Sequence, residues 1–201
     1  PKNRKPNLPL KLIVSSLNSI TNEGEKYLHK LITPLVKKCK YSLTSTKEFK
    51  NKFSKIEIFD DSEFEIICLD CVSLYTSVDL KLVLGFIIKE IYLDKELFFP
   101  DKTKTVKVGK TIKTENITPP HKFELKSLFN AVCTKFNSFE TLNGFYRQTS
   151  GCSMGSKLSS SLANLFCNLF ETEIVDNEIK SGNIKHYFRY VDDIFYLIRK
   201  Y

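Results

Sequence analysis

"FRYVDDIFY", residues 188–196, is the stretch on which the reading of the chain turns. The aromatic and β-branched residues on either side favour two short strands. Asp192 and Asp193 fall between them, at the tip of a tight strand–turn–strand. A third carboxylate, Asp70, ends the apolar run "EFEIICLD" (63–70), which reads as a buried strand. Carboxylates gathered at the ends of neighbouring strands repel one another and lose hydration, which is costly unless cations neutralise them. Hard divalent ions bound by oxygen meet that need. Mg²⁺ takes only one or two protein carboxylates and leaves positions for substrate phosphates, so the pattern points toward nucleotide chemistry. Taken singly, each aspartate is also compatible with an ordinary turn, where Asp is favoured.

Working outward, Leu158, Leu162, Leu165 and Leu169 recur at helical spacing and predict a long helix over 156–179. Before it, "FETLNGFYRQ" places Asn143 and Gly144 between two strand-like runs, a strong hairpin signal. Leu125, Leu128, Phe129, Val132, Cys133 and Phe136 mark another helical face. "DLKLVLGFIIKEIYL" (79–93) is apolar on most faces and predicts a largely buried helix. Residues 94–118 are Lys- and Thr-rich and hold "TVKVGKTIKT", an exposed, mobile hairpin about Gly109 inserted into the domain. Toward the N-terminus, helical spacing from Glu25 to Cys39 predicts a helix that Pro34 kinks or divides, preceded by a strand at 11–15. The order βα, insertion, αββα, ββ fits an α+β fold, an antiparallel sheet backed by helices.

The 201 residues are 42% hydrophobic and 12% aromatic, enough for a packed core. The net charge of +8 is unevenly placed: residues 1–60 hold 13 Lys and Arg against 5 Asp and Glu, and residues 61–201 hold 18 of each. A basic end suits a phosphate-rich partner, and a solvated lysine surface is the alternative on charge alone. Six cysteines without a spacing framework indicate free thiols in a reducing compartment. Cys68 and Cys71, three apart in a strand, would face opposite sides, which argues against a shared zinc. The longest apolar run, "LVLGFII" (82–88), is far shorter than a membrane span needs, and no signal peptide is evident, so the expectation is a soluble, intracellular protein.

Three segments, "ICLDCVSLYTSVDL", "QTSGCSMGSKLSSSLANLF" and "RYVDDIF", occur in an order that resembles motifs A, B and C of reverse transcriptases, most closely those of Penelope-like retroelements. The resemblance implies a right-hand polymerase palm over 61–201, with the insertion at 94–118, and a basic fingers-like segment over 1–60, with thumb and endonuclease expected to lie outside these motifs. It implies RNA-directed DNA synthesis by two-metal nucleotidyl transfer to a primer 3′-OH, with RNA template, DNA primer and dNTP as partners and no membrane. The cofactor would be two Mg²⁺ ions, with Mn²⁺ as a substitute. The location would be the nucleus or a cytoplasmic ribonucleoprotein.

Residue by residue, the family implies a catalytic carboxylate set of Asp70, Asp192 and Asp193. Asp70 and Asp192 would be the main metal ligands with the backbone carbonyl of Cys71 nearby, and Asp193 would lie at the periphery because strand side chains alternate. Tyr75 would lie under the sugar and exclude a 2′-hydroxyl, with a packing tyrosine as the alternative. Ser73, Leu74 and Tyr75 would offer backbone amides to the triphosphate, and Lys2, Lys5, Lys11, Gln148 and Gly155 would complete the nucleotide site. Arg4, Gly151, Ser156 and Tyr190 would meet template or primer, although Ser153 or Ser156 also suits a helix cap.

Departures from the family pattern are Arg4 for His, Lys11-Leu12 for Arg-Pro, Asp79 for a proline after motif A, and Lys157 and Ser160 for both prolines of motif B. None touches the carboxylates. Two other readings stay open: a decayed or domesticated copy that binds nucleic acid without catalysis, and another palm polymerase such as an RNA-dependent RNA polymerase. The latter generally carries an aspartate where this chain has Tyr75.

Overall fold

The computed structural model describes residues 13, 16, 18–57, 63–100, 103–108, 111–116, 118–141 and 143–200. The expected strand at 11–15 therefore lies almost wholly outside the described residues.

Helix α1 (Asn22–Lys37) continues through Pro34 as one element, so the division after Thr33 does not occur. Its Leu28, Leu31, Ile32 and Leu35 are buried, and packing of that face outweighs the one hydrogen bond that proline removes. Helix α2 (Thr46–Phe53) is capped by Ser45, whose hydroxyl accepts from the Glu48 N–H at 3.2 Å. Strand β1 (Phe64–Asp70) leads into a short helix α3 (Leu74–Ser77). Helix α4 (Leu80–Leu93) begins at Asp79, whose carboxylate accepts from the Leu82 N–H at 3.0 Å. The aspartate that departs from the family's proline is thus a helix cap. Burial of α4 is confined to one face, with Val83, Ile87 and Ile91 inside and Leu82 and Leu93 exposed.

Helix α5 (Lys95–Phe98) and the antiparallel hairpin of β2 (Thr103–Val108) and β3 (Thr111–Asn116) make up the inserted region, with Val108 opposite Thr111. Helix α6 (Lys122–Asn130) continues into a π-helical turn, Ala131–Lys135. The hairpin of β4 (Ser138–Thr141) and β5 (Gly144–Arg147) follows, with Gly144 at φ +125°, open to glycine alone without strain. Helix α7 (Lys157–Phe170), a π-helical turn Glu171–Val175 and helix α8 (Asp176–Lys180) together fill the span expected of one long helix. Strands β6 (Ile184–Tyr190) and β7 (Asp193–Arg199) close the fold.

Leu28 and Ile32 of α1, Ile87 and Ile91 of α4, Leu125 and Phe129 of α6, and Leu158, Leu162 and Leu165 of α7 share one core. The main sheet is small and antiparallel, in the order β1-β7-β6. Its β6 edge is flanked by the segment 41–43: the Arg189 N–H donates to the Tyr41 carbonyl at 2.9 Å, and the Leu43 N–H donates to the Arg189 carbonyl at 2.7 Å. The opposite edge is β1, and here the expected burial fails. Ile66 and Leu69 are 51% and 50% exposed and Cys68 is exposed, because among the described residues β1 has a strand neighbour only in β7. An apolar run does not by itself tell a sheet centre from an edge. One face of the sheet carries Phe188 and Phe195, against which α2 lays Phe49. The alternate residues Tyr187 and Arg189 face the α7 side.

Candidate active site

The three family-like segments meet through the main chain. The Cys71 N–H, just past β1, donates to the Asp192 carbonyl at 2.8 Å, which joins the end of β1 to the β6–β7 turn. In the second segment, the Cys152 N–H donates to the Tyr75 carbonyl of the first at 2.7 Å, joining α3 to the loop before α7. Gly151 makes that second approach possible: at φ +68°, a Cβ there would stand 2.4 Å from the Tyr75 carbonyl oxygen and 2.5 Å from the Thr76 Cα. Both atoms belong to the backbone and cannot swing aside.

Register sets Asp193 directly opposite Asp70 across β1 and β7, while Tyr190 pairs with Asp193 to leave Val191 and Asp192 as a two-residue turn. Asp192 therefore lies in the turn, and strand alternation does not separate it from Asp193. Asp193 is exposed, as a peripheral carboxylate would be, yet it faces Asp70. Like charges directly opposite destabilise a strand pair, so a cation at this end of the sheet would be stabilising. Asp70 is exposed and Asp192 half-buried, which corrects the expectation that burial drives the demand for a cation; mutual repulsion remains as the cause. The Cys71 thiol is pushed up by burial, pulled back by the Arg189 guanidinium, and raised again by the carboxylates of Asp192, Asp70 and Glu171. Among the described residues no group of three or more His, Cys, Asp and Glu side chains is set to hold a metal ion. Two oxygen donors, Asp70 and Asp192, suffice for the hydrated binding that Mg²⁺ prefers, and the donor chemistry fits that ion.

Behind the turn lies a buried polar network that the sequence does not announce. Arg189 is 1% exposed. Its Nε donates to Glu171 Oε1 at 2.5 Å and its Nη2 to Glu171 Oε2 at 3.2 Å, while Nη1 reaches Asn164 Oδ1 at 2.8 Å. The Tyr187 hydroxyl donates to Glu171 Oε1 at 3.1 Å, and burial together with the Glu171 charge pushes that hydroxyl's pKa up. Removing one partner of such a buried pair costs about 3–5 kcal/mol, because the other charge is left uncompensated. A second buried contact ties α1 to the loop before α7: the Ser156 hydroxyl donates to Glu25 Oε2 at 2.6 Å, and Thr21 donates to Glu25 Oε1 at 2.9 Å. Arg189 and Glu171 each stand beside aromatic or apolar neighbours, but Glu25 sits in the polar run 21–26, and nothing local pairs any of the three with its distant partner.

The remaining expected residues fall as follows. Ser156 is 8% exposed and caps α7 by accepting from the Leu158 N–H at 3.2 Å, so its side chain is occupied within the chain instead of facing template or primer. Gly151 is likewise buried, and its glycine is explained by the approach to Tyr75 and Thr76 instead of a template contact. Tyr75 is half-buried, packs against the core, and shares a 3.1 Å hydrogen bond with Ser160 Oγ. Ser73, exposed and at φ +56°, stands at the N-cap position of α3 without a side-chain cap bond, while Leu74 is only 7% exposed as a residue. Gln148 donates from Nε2 to the Ser150 carbonyl at 2.7 Å and borders a cleft of about 290 Å³ that Arg147, Asn137 and Gly151 also line. Gly155 is exposed at φ +110°, and Tyr190 is 38% exposed beside the turn. Lys2, Arg4, Lys5 and Lys11 lie outside the described residues.

All six cysteines are free thiols, and burial pushes Cys133 and Cys152 up to about 12. No helix among the described residues is long and apolar enough to cross a membrane.

The fold has solved counterparts. The chain is similar to apo telomerase from Candida tropicalis at 15% identity and a TM-score of 0.57, over 88% of this chain and 31% of that one. It is similar to telomerase from the same organism in complex with a fragment of telomeric RNA at 12% identity and a TM-score of 0.57, over 89% of this chain and 29% of that one. A third Candida tropicalis structure, apo telomerase truncated from its C-terminal domain, aligns at 13% identity with a TM-score of 0.51, over 92% of this chain and 34% of that one. The chain has a telomerase-like, polymerase-type fold and spans about a third of the length of these proteins. No family model matches the sequence, and no curated protein does.

Proposed function

We propose that this chain is the fingers-and-palm part of a retroelement reverse transcriptase, an RNA-directed DNA polymerase that adds dNTP units to a primer 3′-OH on an RNA template. The observation that carries the reading is the convergence of three segments far apart in sequence: Cys71 on Asp192 and Cys152 on Tyr75, with Asp70 opposite Asp193. The polymerase-type fold supports it. So does the likeness of the three segments to motifs A, B and C of Penelope-like elements. One of the telomerase structures holds a telomeric RNA fragment, which favours nucleic acid as the partner class.

In this reading Asp70 and Asp192, with the Cys71 carbonyl, hold Mg²⁺, and Asp193 adds negative charge at the same sheet end. Bound Mg²⁺ supplies activation of the 3′-hydroxyl and neutralisation of charge on the phosphates. The chain's own part is placement. The β1–β7 pairing fixes the carboxylates relative to one another, and the Ser73–Tyr75 turn presents backbone amides to the triphosphate. The Tyr75 ring, held through Ser160, limits the room beside the sugar. Gln148 and Gly155 border the nucleotide, Tyr190 borders template or primer, and Lys2, Arg4, Lys5 and Lys11 meet phosphates from the fingers side.

Asp70→Asn and Asp192→Asn test the assignment. Each should abolish primer extension and weaken Mn²⁺ binding followed by electron paramagnetic resonance, with the fold retained because each removes a repelling charge. Variants that extend a primer at the parent rate overturn the metal assignment.

A further inference from the structure

We propose that Arg189 is the positioning residue of the candidate active site: its guanidinium, locked by Glu171 and Asn164, holds the Val191–Asp192 turn in a strained conformation and so sets where the Asp192 carboxylate stands. The consequence for catalysis rests on the reading of Asp192 as a metal ligand; the mechanical part does not.

Val191 has φ +56°. Its branched Cβ makes that region unfavourable, so the conformation persists only if the surroundings impose it. Two hydrogen bonds fall on the turn's two carbonyls: Arg189 Nη1 donates to Val191 O at 3.0 Å, and the Cys71 N–H donates to Asp192 O at 2.8 Å. The first can impose geometry because Arg189 has little freedom of its own. Its main chain is bonded on both sides to the 41–43 segment, through the Tyr41 carbonyl and the Leu43 N–H. Its side chain makes a two-point fork with Glu171. Nη1 is further fixed by Asn164 Oδ1 at 2.8 Å, and Nη2 lies 3.5 Å from the Asn164 carbonyl. Glu171 is steadied in turn by the Tyr187 hydroxyl and opens the π-helical turn after α7. Turns of that kind recur at functional sites.

A buried ion pair serving packing alone would need the Glu171 fork. The further N–H on the carbonyl of the strained residue is what a positioning role requires and a packing role does not. Lysine can supply the charge but not the fork and the Val191 contact together, because an ammonium is a point donor.

Amide hydrogen exchange of the 201-residue chain tests this directly, because the Cys71 N–H reports whether the Asp192 carbonyl is in place. In Arg189→Lys, Cys71 protection should fall about tenfold while Val83 and Ile87 in α4 keep theirs, the mark of local opening as opposed to global loss of stability. Adding Val191→Gly should recover much of that protection, since glycine takes φ +56° without strain. Mn²⁺ affinity should fall and recover in parallel. If Arg189→Lys does not fold, Tyr187→Phe, which removes only one hydrogen bond from Glu171, carries the same test with a smaller selective loss expected. Cys71 protection that is unchanged, or that falls only in step with α4, overturns the proposal, as does failure of Val191→Gly to restore it. A parent chain that binds no Mn²⁺ overturns the metal reading instead, and the exchange pattern still decides on Arg189.

Discussion

Tyr75 carries two roles at once, and substitution separates them. Its ring is half-buried against the core and its hydroxyl meets Ser160 Oγ in an exposed contact. If bulk beside the sugar is what matters, Tyr75→Phe should keep the preference for deoxynucleotides. Tyr75→Ala should raise the ratio of ribonucleotide to deoxynucleotide kcat/KM, a gain of function that packing does not produce. If packing is its whole role, the Ala variant should lose stability toward the range of about 3–5 kcal/mol seen for aromatic truncations and use both substrates less well, with the ratio unchanged. At this scale, what was legible in the sequence is what is local. Asp70, Asp192 and Asp193 stand out by charge among apolar neighbours, and Tyr75 by its place five residues after Asp70. Arg189 was hidden because its meaning depends on Glu171, 18 residues away and brought to it only by tertiary packing. Val191 was hidden because a positive φ at a β-branched residue runs against local preference.

Among the elements, α2 is the one whose cap bears on the site. Phe49 and Phe53 of α2 meet Phe195 at centroid distances of 5.4 Å each, and Phe49 meets Phe188 at 6.0 Å, so α2 braces the β6–β7 hairpin from the face opposite Arg189. The Glu48 carboxylate anchors the first turn of α2: it bonds Lys52 Nζ at 2.8 Å and accepts from the Thr44 N–H at 2.9 Å and hydroxyl at 2.7 Å. Lys52 first, then the two Thr44 bonds, pull its pKa down to about 2 from an ordinary 4.5. A depressed carboxylate contributes stability that is present above the unfolded value and lost as pH falls through the folded one, here between about 4.5 and 2. The Glu48 side chain is 31% exposed at the surface, so solvent screening keeps that contribution small. Aromatic NMR shifts of Phe49 and Phe195 should move over this acid range in the parent, and Glu48→Gln should remove most of the change; an identical titration in the variant would discard the cap as its origin. Elements signalled by turn or cap chemistry were read correctly, as with the hairpin at Asn143-Gly144. The exposure of β1 is not legible, because among the described residues its apolar side chains belong to an edge of the sheet, which shows only in the strand order β1-β7-β6.

For the whole molecule the deciding quantity is where the charge sits. All the net excess of +8 lies in residues 1–60, with 13 basic against 5 acidic residues. Within that span Lys26, Lys40 and Lys52 are engaged with Glu23, Asp176 and Glu48 in surface pairs that contribute little to stability and leave net charge outward. Helix α1 carries part of this charge along α7, where Ser156 and Ser161 meet Glu25 and His29, and α2 carries more of it to the sheet. Exposed Lys30, Lys37 and Lys38 on and just past α1 therefore belong to the same body as the carboxylate-bearing turn. Exposed cations on that body are the groups a bound phosphate backbone is expected to engage. Neutralised phosphates release counterions, so log affinity should fall linearly with log salt, by roughly 0.7 for each contact with a single strand. Four or more contacts would give a slope of about −3 or steeper for a single-stranded RNA of mixed sequence. Replacing Lys30, Lys37 and Lys38 together by Gln should flatten that slope while leaving the thermal midpoint almost unchanged, since surface charges of this kind add little to the fold. Fluorescence anisotropy from low to physiological salt measures both slopes, and an affinity flat across that range in the parent would remove charge-led binding as the role of the N-terminal third.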